Sequence, residues 1–464
     1  MTKHVHFIGI GGTGLSAIAQ ILLESGYKVT GSDRQASMLT ERVQAAGAQV
    51  FIGHRAENVT GADIVVRSWA VPDDNIEVQS AKSAGIPVLR RSEFLGELTK
   101  GRRVIAIAGT HGKTTTTAMI SWLLSALGLD PSFIVGGVLS NLGTNAHLGG
   151  GDVFVIEADE YDRMFLGLSP YLAVVTNVEH DHPDCYPTYQ EFFDAFLKFS
   201  ERIEHQGALL TCREDVGANA LGSFAKRSHL RVLTYGWQDS VQSESTDYIA
   251  SNIAILSDGN FSFDAYLGNR YLCSANLQVP GRHNVLNALA TIGVAHVLNL
   301  DLESAARLLG NFRGVGRRFE LRGEVGGVVV IDDYAHHPTE IRATLAAARS
   351  RFPKRSLWVV WQPHTYSRTR RFFEEFSHAF QDADHVLVTE VYPAREPIPA
   401  DFSAYRIVQA MKHPDAHFMP DLIQVVAFLL ERLQPGDVLL VLSAGDADKI
   451  STQILAALGS GNGH

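Results

Sequence analysis

The chain has 464 residues, of which 45% are apolar and 19% charged, with a formal net charge of -10. That composition is globular, the length asks for roughly two to four domains, and the acidity argues against a general nucleic-acid binder. Cys185, Cys212 and Cys273 form no C-x-x-C pair, which fits a reducing compartment, and no apolar run approaches the roughly 18 residues of a membrane span.

The N-terminal stretch MTKHVHFIGI turns glycine-rich after a few apolar residues. It does not read as a signal peptide, so a cytoplasmic protein is expected. HVHFIGI reads as a buried strand, GLSAIAQILLESG as a helix ending at Gly26, and YKVTGSD as a second strand. Between the first strand and the helix, GIGGTG places Gly9, Gly11 and Gly14 in the G-x-G-x-x-G pattern. A diphosphate resting on the helix N-terminus is the expected ligand. Asp33 ends the next strand nineteen residues beyond Gly14, where it can contact a ribose or base. A dinucleotide needs two β-α-β-α-β halves, yet only about 95 residues precede the next phosphate loop. One half, binding a mononucleotide or nucleotide sugar, is therefore expected.

The strand-helix rhythm continues through ADIVVRS and IPVLRR and restarts near residue 100 at RRVIAIAGTHGKTTTT. The longer template G-x-x-x-x-G-K-[ST] fails here, because its first glycine would fall on Ile107. Even so, Gly109, Thr110, Gly112 and Lys113 lie between a strand and a helix, where backbone N–H groups cradle phosphate. Lys113 would neutralise β/γ charge, Thr114 would ligate Mg2+, and Thr115 would add a phosphate contact. Thr114 to Thr117 are poor helix formers, which suggests hydroxyls put to use.

DVFVIEADE and LAVVTNVEHDH then read as strands ending in acids and histidines. They offer Glu157, Asp159, Glu160 and Asp162, then Glu179, His180, Asp181, His182 and Asp184 as hard ligands at strand ends. A zinc site of His180, His182 and Cys185 is the weaker alternative. Residues 240–280 alternate around DGN and suggest antiparallel strands, RHNVLNALATIGVAHVLNL reads as a helix, and Gly314 and Gly316 suggest a second linker. From GVVVIDDYAHHPTE an α/β pattern resumes through SLWVVWQ, HVLVTEV and DVLLVLSAG, and the GSGNGH tail reads as disordered.

In order, GIGGTG, GTHGKTTTT, EADEYD, NVEHDH, GRHNVLNA, GRRFE, DDYAHHPTE and QPHTYSRTR resemble the Mur ligases of peptidoglycan synthesis, over about residues 4 to 450. The likeness is nearest to the branch that joins L-alanine to UDP-N-acetylmuramate, although EADEY stands where that branch more usually has EADES. The resemblance implies an α/β fold of three domains. A Rossmann-like UDP-substrate domain spans 1–98, a central P-loop ATPase domain 99–314, and a Rossmann-like C-terminal ligase domain 315–464. It implies ATP and Mg2+ as cofactors, with Thr114, Glu157 and His182 as metal residues. It places His283, Asn284 and Asn287 along the ATP site and Arg318 and Asp333 where the third domain closes on the nucleotide. His337, His364 and Arg368 would face the substrate carboxylate and the amino acid. Gly9, Gly11, Gly12, Thr13, Gly14, Asp33 and Ser68 would hold the UDP part. A monomer or weak homodimer is expected, with no nucleic-acid or membrane partner.

Two rivals make different predictions. A recycling ligase of the same family would add a whole tripeptide. An NAD-dependent dehydrogenase would transfer hydride and leave the second loop idle. Residues taken singly also have plainer roles: Asn284 could cap a helix, His336 could order a turn beside Pro338, and Arg368 could be a solvated charge.

Overall fold

Short runs of β-branched residues alternating with helices build three sheets in chain order. The computed structural model describes residues 3–238 and 246–460. The first sheet is wholly parallel and runs Gln49–Ile52, Lys28–Asp33, His4–Ile8, Ile64–Arg67, Val88–Arg90. Its middle strand, His4–Ile8, is buried throughout, and helix Thr13–Glu24 begins at once beyond the glycine loop. This is a single five-stranded unit, the half fold anticipated for a mononucleotide or nucleotide sugar.

The second sheet has ten strands. At its heart Arg103–Ala108 pairs in parallel with Val153–Glu157 on one side and Leu172–Val175 on the other. All three end on the same edge, which brings the phosphate loop, Glu157 and the 176–182 segment together. Tyr248–Ile255 joins the sheet in parallel, and Phe261–Leu267 and Arg270–Asn276 extend it as antiparallel strands, as the alternation around DGN implies. Part of that stretch, residues 240–245, lies outside the described residues. Helix His283–Val297 packs on the phosphate-loop helix Lys113–Ala126.

In the third sheet Glu320–Val325 is an antiparallel edge beside Val328–Asp333, and Val438–Ser443, Leu357–Gln362, His385–Val388 and Ala416–Phe418 follow in parallel. The glycine-rich joint before it is firmly packed. Val315 bridges to Leu139 and to Arg318, and the Ser140 N–H donates to the Gly314 carbonyl (3.1 Å). Helix Asp448–Ser460 takes up the first two residues of the GSGNGH tail, and the remainder lies outside the described residues. Among the described residues no helix is long and apolar enough to cross a membrane.

Candidate active site

The phosphate loop is shaped by its glycines. Gly109 sits at φ +134°, and a Cβ there would collide with the Thr176 hydroxyl. Gly112, at φ +78°, opens the helix directly before Lys113. Lys113 folds back over the loop, donating to the Gly109 and Thr110 carbonyls and pairing with Glu160 at 2.9 Å. Burial opposes its charge, but Glu160, Asp159 and Glu157 outweigh that and hold its pKa above the ordinary lysine value. The Thr114 hydroxyl donates to Glu157 Oε1 (3.0 Å), and Arg318 of the third sheet's domain donates to that hydroxyl (3.3 Å). Burial, stronger than the pull of Lys113 and Arg318, raises the Glu157 carboxyl. A half-buried carboxylate whose pKa stays raised despite two nearby cations, beside a hydroxyl at a helix N-terminus, is a donor set that fits a hard divalent ion.

Across the cleft His182, at φ +54°, approaches Glu160 Oε1 at 3.3 Å. Burial lowers its pKa, yet Asp181 and Glu160 together raise it above the usual histidine value. Asp181 is locked to Arg368 by two bonds of 2.9 and 3.1 Å, both side chains buried, which joins the middle and third domains. The plainer reading of Arg368 as a solvated charge therefore fails. The zinc alternative is not assembled: His180 hydrogen-bonds the Tyr186 carbonyl (2.8 Å), and Cys185 is free. The one His/Cys/Asp/Glu trio close enough for a metal, among the described residues, is His111, Glu179 and His337.

Around that trio lies a second interdomain cluster. His111 reaches Glu179 at 3.0 Å and Glu340 of the third domain at 3.2 Å. Burial works against its charge, but the two carboxylates push its pKa up to about 9. Glu340 and Arg318 are 3.8 Å apart. His337, expected to face the substrate, is instead buried behind His111 and caps helix Pro338–Arg351, accepting from the Thr339 N–H (3.3 Å). Burial takes its pKa down to about 3 and that of His364 to about 2, so both are neutral imidazoles. His364 lies 3.2 Å from Arg368. His336 binds the Tyr334 carbonyl (2.9 Å), a turn-ordering role.

Between the second and third domains opens a cleft of about 1030 Å³. Gly112, Thr115, His283, Asn284, Asn287, Arg318 and Asp333 all line it. Its far wall is apolar, formed by Tyr235, Val279, Pro280, Val315 and Phe319, and suits a nucleobase. Asn284 does not cap its helix; it donates to the Pro280 carbonyl (2.7 Å) and accepts from Asn287 (2.9 Å). Asp333 accepts from the Phe319 and Ala335 N–H groups (2.7 Å each), and burial raises its carboxyl to about 6. Arg317 turns away to the Ser443 carbonyl (2.7 Å), which leaves Arg318 as the cleft arginine.

The first glycine loop lines a separate pocket with Gly12, Thr13, Gly14 and Ser68. Arg90, Arg91, Trp69, Asp159 and Tyr161 complete its walls. Arg91 lies directly over Gly14, where any Cβ would strike its guanidinium. Asp33 differs from expectation: its carboxylate accepts from the Gly11 N–H (2.8 Å) and so braces the loop itself. From sequence alone Arg90, Arg91, His111 and Glu340 have no assigned role and Glu179 stands only as a hard ligand, because the motifs that hold His111, Glu179 and Glu340 do not show that these three meet across the domain joint.

Comparison with known proteins matches three successive stretches of the chain. Residues 4–103 match the model of the Mur ligase family catalytic domain, 107–295 the Mur ligase middle domain, and 317–445 the Mur ligase glutamate ligase domain. The UDP-N-acetylmuramate–L-alanine ligase of Roseiflexus castenholzii is 42% identical over 98% of both chains. The crystal structure of the UDP-N-acetylmuramate–alanine ligase of Thermotoga maritima covers 100% of both chains, with a TM-score of 0.83 and 30% identity. A murein peptide ligase from Psychrobacter arcticus covers 98% of this chain and 99% of its own, with a TM-score of 0.72 and 26% identity.

Proposed function

The chain belongs to the Mur ligase family, and we propose that it joins L-alanine to the lactyl carboxylate of UDP-N-acetylmuramate at the expense of ATP. A carboxylate is a poor electrophile, so an amide forms from it only after activation. Transfer of the ATP γ-phosphoryl group to the lactyl carboxylate makes an acyl phosphate and ADP. The amine of L-alanine then attacks the acyl carbon, and phosphate leaves.

One observation carries this reading: the two phosphate cradles meet. Lys113, the buried Glu160 and His182 form a chain of ion pairs leading from the ATP-type loop. The neighbouring Tyr161 packs on His182 at 5.0 Å and also walls the first-loop pocket. An acceptor whose diphosphate lies on Gly12–Gly14 can extend past Tyr161 and present a carboxylate beside Lys113. Lys113 holds positive charge where the transferred phosphoryl develops negative charge. Thr114 and Glu157 would hold one Mg2+ and His182, across the cleft, a second, which would supply charge neutralisation when bound. Arg318 and Asp333 close on the nucleotide from the third domain, and the apolar wall takes the base. The covered cleft keeps water from the acyl phosphate.

Of the 1–98, 99–314 and 315–464 units, the first carries the acceptor, the second the ATP, and the third completes the amino-acid site, with His364 and Arg368 nearest to it. The enzyme acts, on this reading, as a cytoplasmic monomer or weak homodimer. The test is product formation from UDP-N-acetylmuramate and ATP with a panel of amino acids and the tripeptide. Ligation of free L-alanine is expected; use of the tripeptide alone would sink the reading in favour of a recycling ligase.

A further inference from the structure

We propose that Arg395 is a positioning residue for the nucleotide-sugar substrate. Reaching out from the third domain, it fixes two walls of the first-loop pocket and so couples closure of that domain to placement of the acceptor. The inference rests on the nucleotide-sugar reading of that pocket.

Four residues from three domains meet here. The Arg395 guanidinium lies 4.6 Å from the Trp69 ring centre and 4.5 Å from that of Tyr161. The two rings are themselves 4.9 Å apart at an angle of 65°. Arg395 donates to Asp184 Oδ2 (2.7 Å), and the Tyr161 hydroxyl donates to the same oxygen (2.8 Å). Trp69 and Tyr161 both line the pocket of the glycine loop. Unclasped, each would be a wall free to swing: Trp69 is 43% exposed and sits on the loop just past strand Ile64–Arg67.

The loop bearing Arg395 is not independent of closure. Its neighbour Glu396 accepts from the backbone N–H groups of Tyr366 and Ser367 (2.5 and 3.0 Å). The next residue, Arg368, makes the buried pair with Asp181. When the third domain docks through Arg368, Arg395 is therefore carried onto Trp69 and Tyr161 by the same rigid segment. Tyr161 in turn touches His182 and follows Glu160, the partner of Lys113. A wall set by Arg395 thus decides where an acceptor anchored on the glycine loop brings its far end.

The experiment is steady-state kinetics of Arg395→Ala, Arg395→Lys and Trp69→Leu, singly and as an Arg395→Ala/Trp69→Leu pair, with thermal melting to verify folding. Arg395→Ala should raise KM for UDP-N-acetylmuramate about fivefold to twentyfold and leave KM for ATP within about twofold. Arg395→Lys should recover part of the loss, because an ammonium keeps charge over the rings but loses the planar fork. The double variant should be clearly less impaired than the product of the two single effects. An unchanged acceptor KM, equal rises for ATP and acceptor, or strict additivity would each overturn the proposal. Failure of the unmodified chain to form any product would strike the ligase reading instead. Calorimetric titration of UDP-N-acetylmuramate into the same variants would then decide the clasp on binding alone, with weaker binding to Arg395→Ala expected and equal binding overturning it.

Discussion

Lys113 shows how single residues here are set by both local pattern and distant charge. Its place after Gly112 is written in the motif, whereas its partner Glu160 comes from another strand end. Lys113→Ala should cut ADP formation with both substrates by about 10²-fold or more, since it removes the cation facing the transferred phosphoryl group. Near-normal ADP release would remove the residue from the mechanism. The loss of a buried partner for Glu160 also predicts a lower melting temperature, so the two readouts are taken together. A second residue, Glu77, tests electrostatics well away from the chemistry. It is fully buried and accepts from Ser32 (2.5 Å) and Asn58, with His6 at 3.8 Å. Burial alone would raise its carboxyl, but these partners take it from 4.5 down to about 2. A carboxylate with a depressed folded pKa stabilises fully above its unfolded value, and that stabilisation drains away as pH falls toward the folded one. Unfolding midpoints in urea should therefore drop between about pH 5 and pH 2 more steeply in the unmodified chain than in Glu77→Gln. Parallel profiles would refute the assignment. Lys113, Thr114, Glu157 and Arg318 were legible in the sequence because each belongs to a compact pattern. The meeting of His111, Glu179 and Glu340 was not, although each lies in a motif, because their contacts span 68 and more residues and no local pattern marks them.

At the level of elements, the four threonines of the phosphate-loop helix divide their labour. Thr114 faces Glu157, and Thr115 lines the nucleotide cleft. Thr116 is buried and donates to Asn287 Oδ1 (3.1 Å), tying the helix to His283–Val297. Thr117 donates to the Lys113 carbonyl one turn back (2.8 Å). A run of poor helix formers survives because tertiary bonds and packing outweigh propensity. Only the first two of these roles could be read from the motif; the third needed the packing of a helix some 170 residues further on. Thr116→Val should cost about 1–3 kcal/mol, because it strands a buried amide oxygen. Thr117→Val should cost less, because the carbonyl it leaves keeps its helical partner. Denaturant melts of the two variants separate these outcomes, and an equal or reversed order would show that Asn287 finds another donor. The element pattern itself was largely legible: strands that are fully buried announce themselves as apolar runs. Short strands such as Ser132–Ile134 and the edge strand Ala416–Phe418 carry too few residues to show a period.

For the whole molecule, the question is what holds the third domain over the cleft. Three contacts across that joint carry charge on both sides: Asp181 with Arg368, Asp184 with Arg395, and His111 with Glu340. They differ in what pH does to them. Asp181 is held well below the usual carboxylate range, since Arg368 outweighs its burial, so this pair stays intact throughout the neutral range. His111 titrates nearer to hand. Its pKa of about 9 in the closed arrangement stands above its ordinary 6.5, so its contribution is complete below 6.5 and is lost as pH climbs through about 9. Closure should thus weaken on the alkaline side and not on the acid side of neutrality. Because His111 sits two residues before Lys113, an opened joint also uncovers the phosphate loop. The expected result is a fall in kcat/KM for ATP between about pH 7.5 and 9.5, accompanied in small-angle scattering by a larger radius of gyration of the ligand-free chain. His111→Gln keeps one hydrogen bond but no charge, so it should start from a lower value and show a flatter alkaline limb. Arg368→Met, which leaves Asp181 buried without a partner, should open the joint at every pH. An alkaline limb that persists unchanged in His111→Gln would assign the titration to another group and leave the two aspartate–arginine pairs, Asp181–Arg368 and Asp184–Arg395, as the charged ties between the domains.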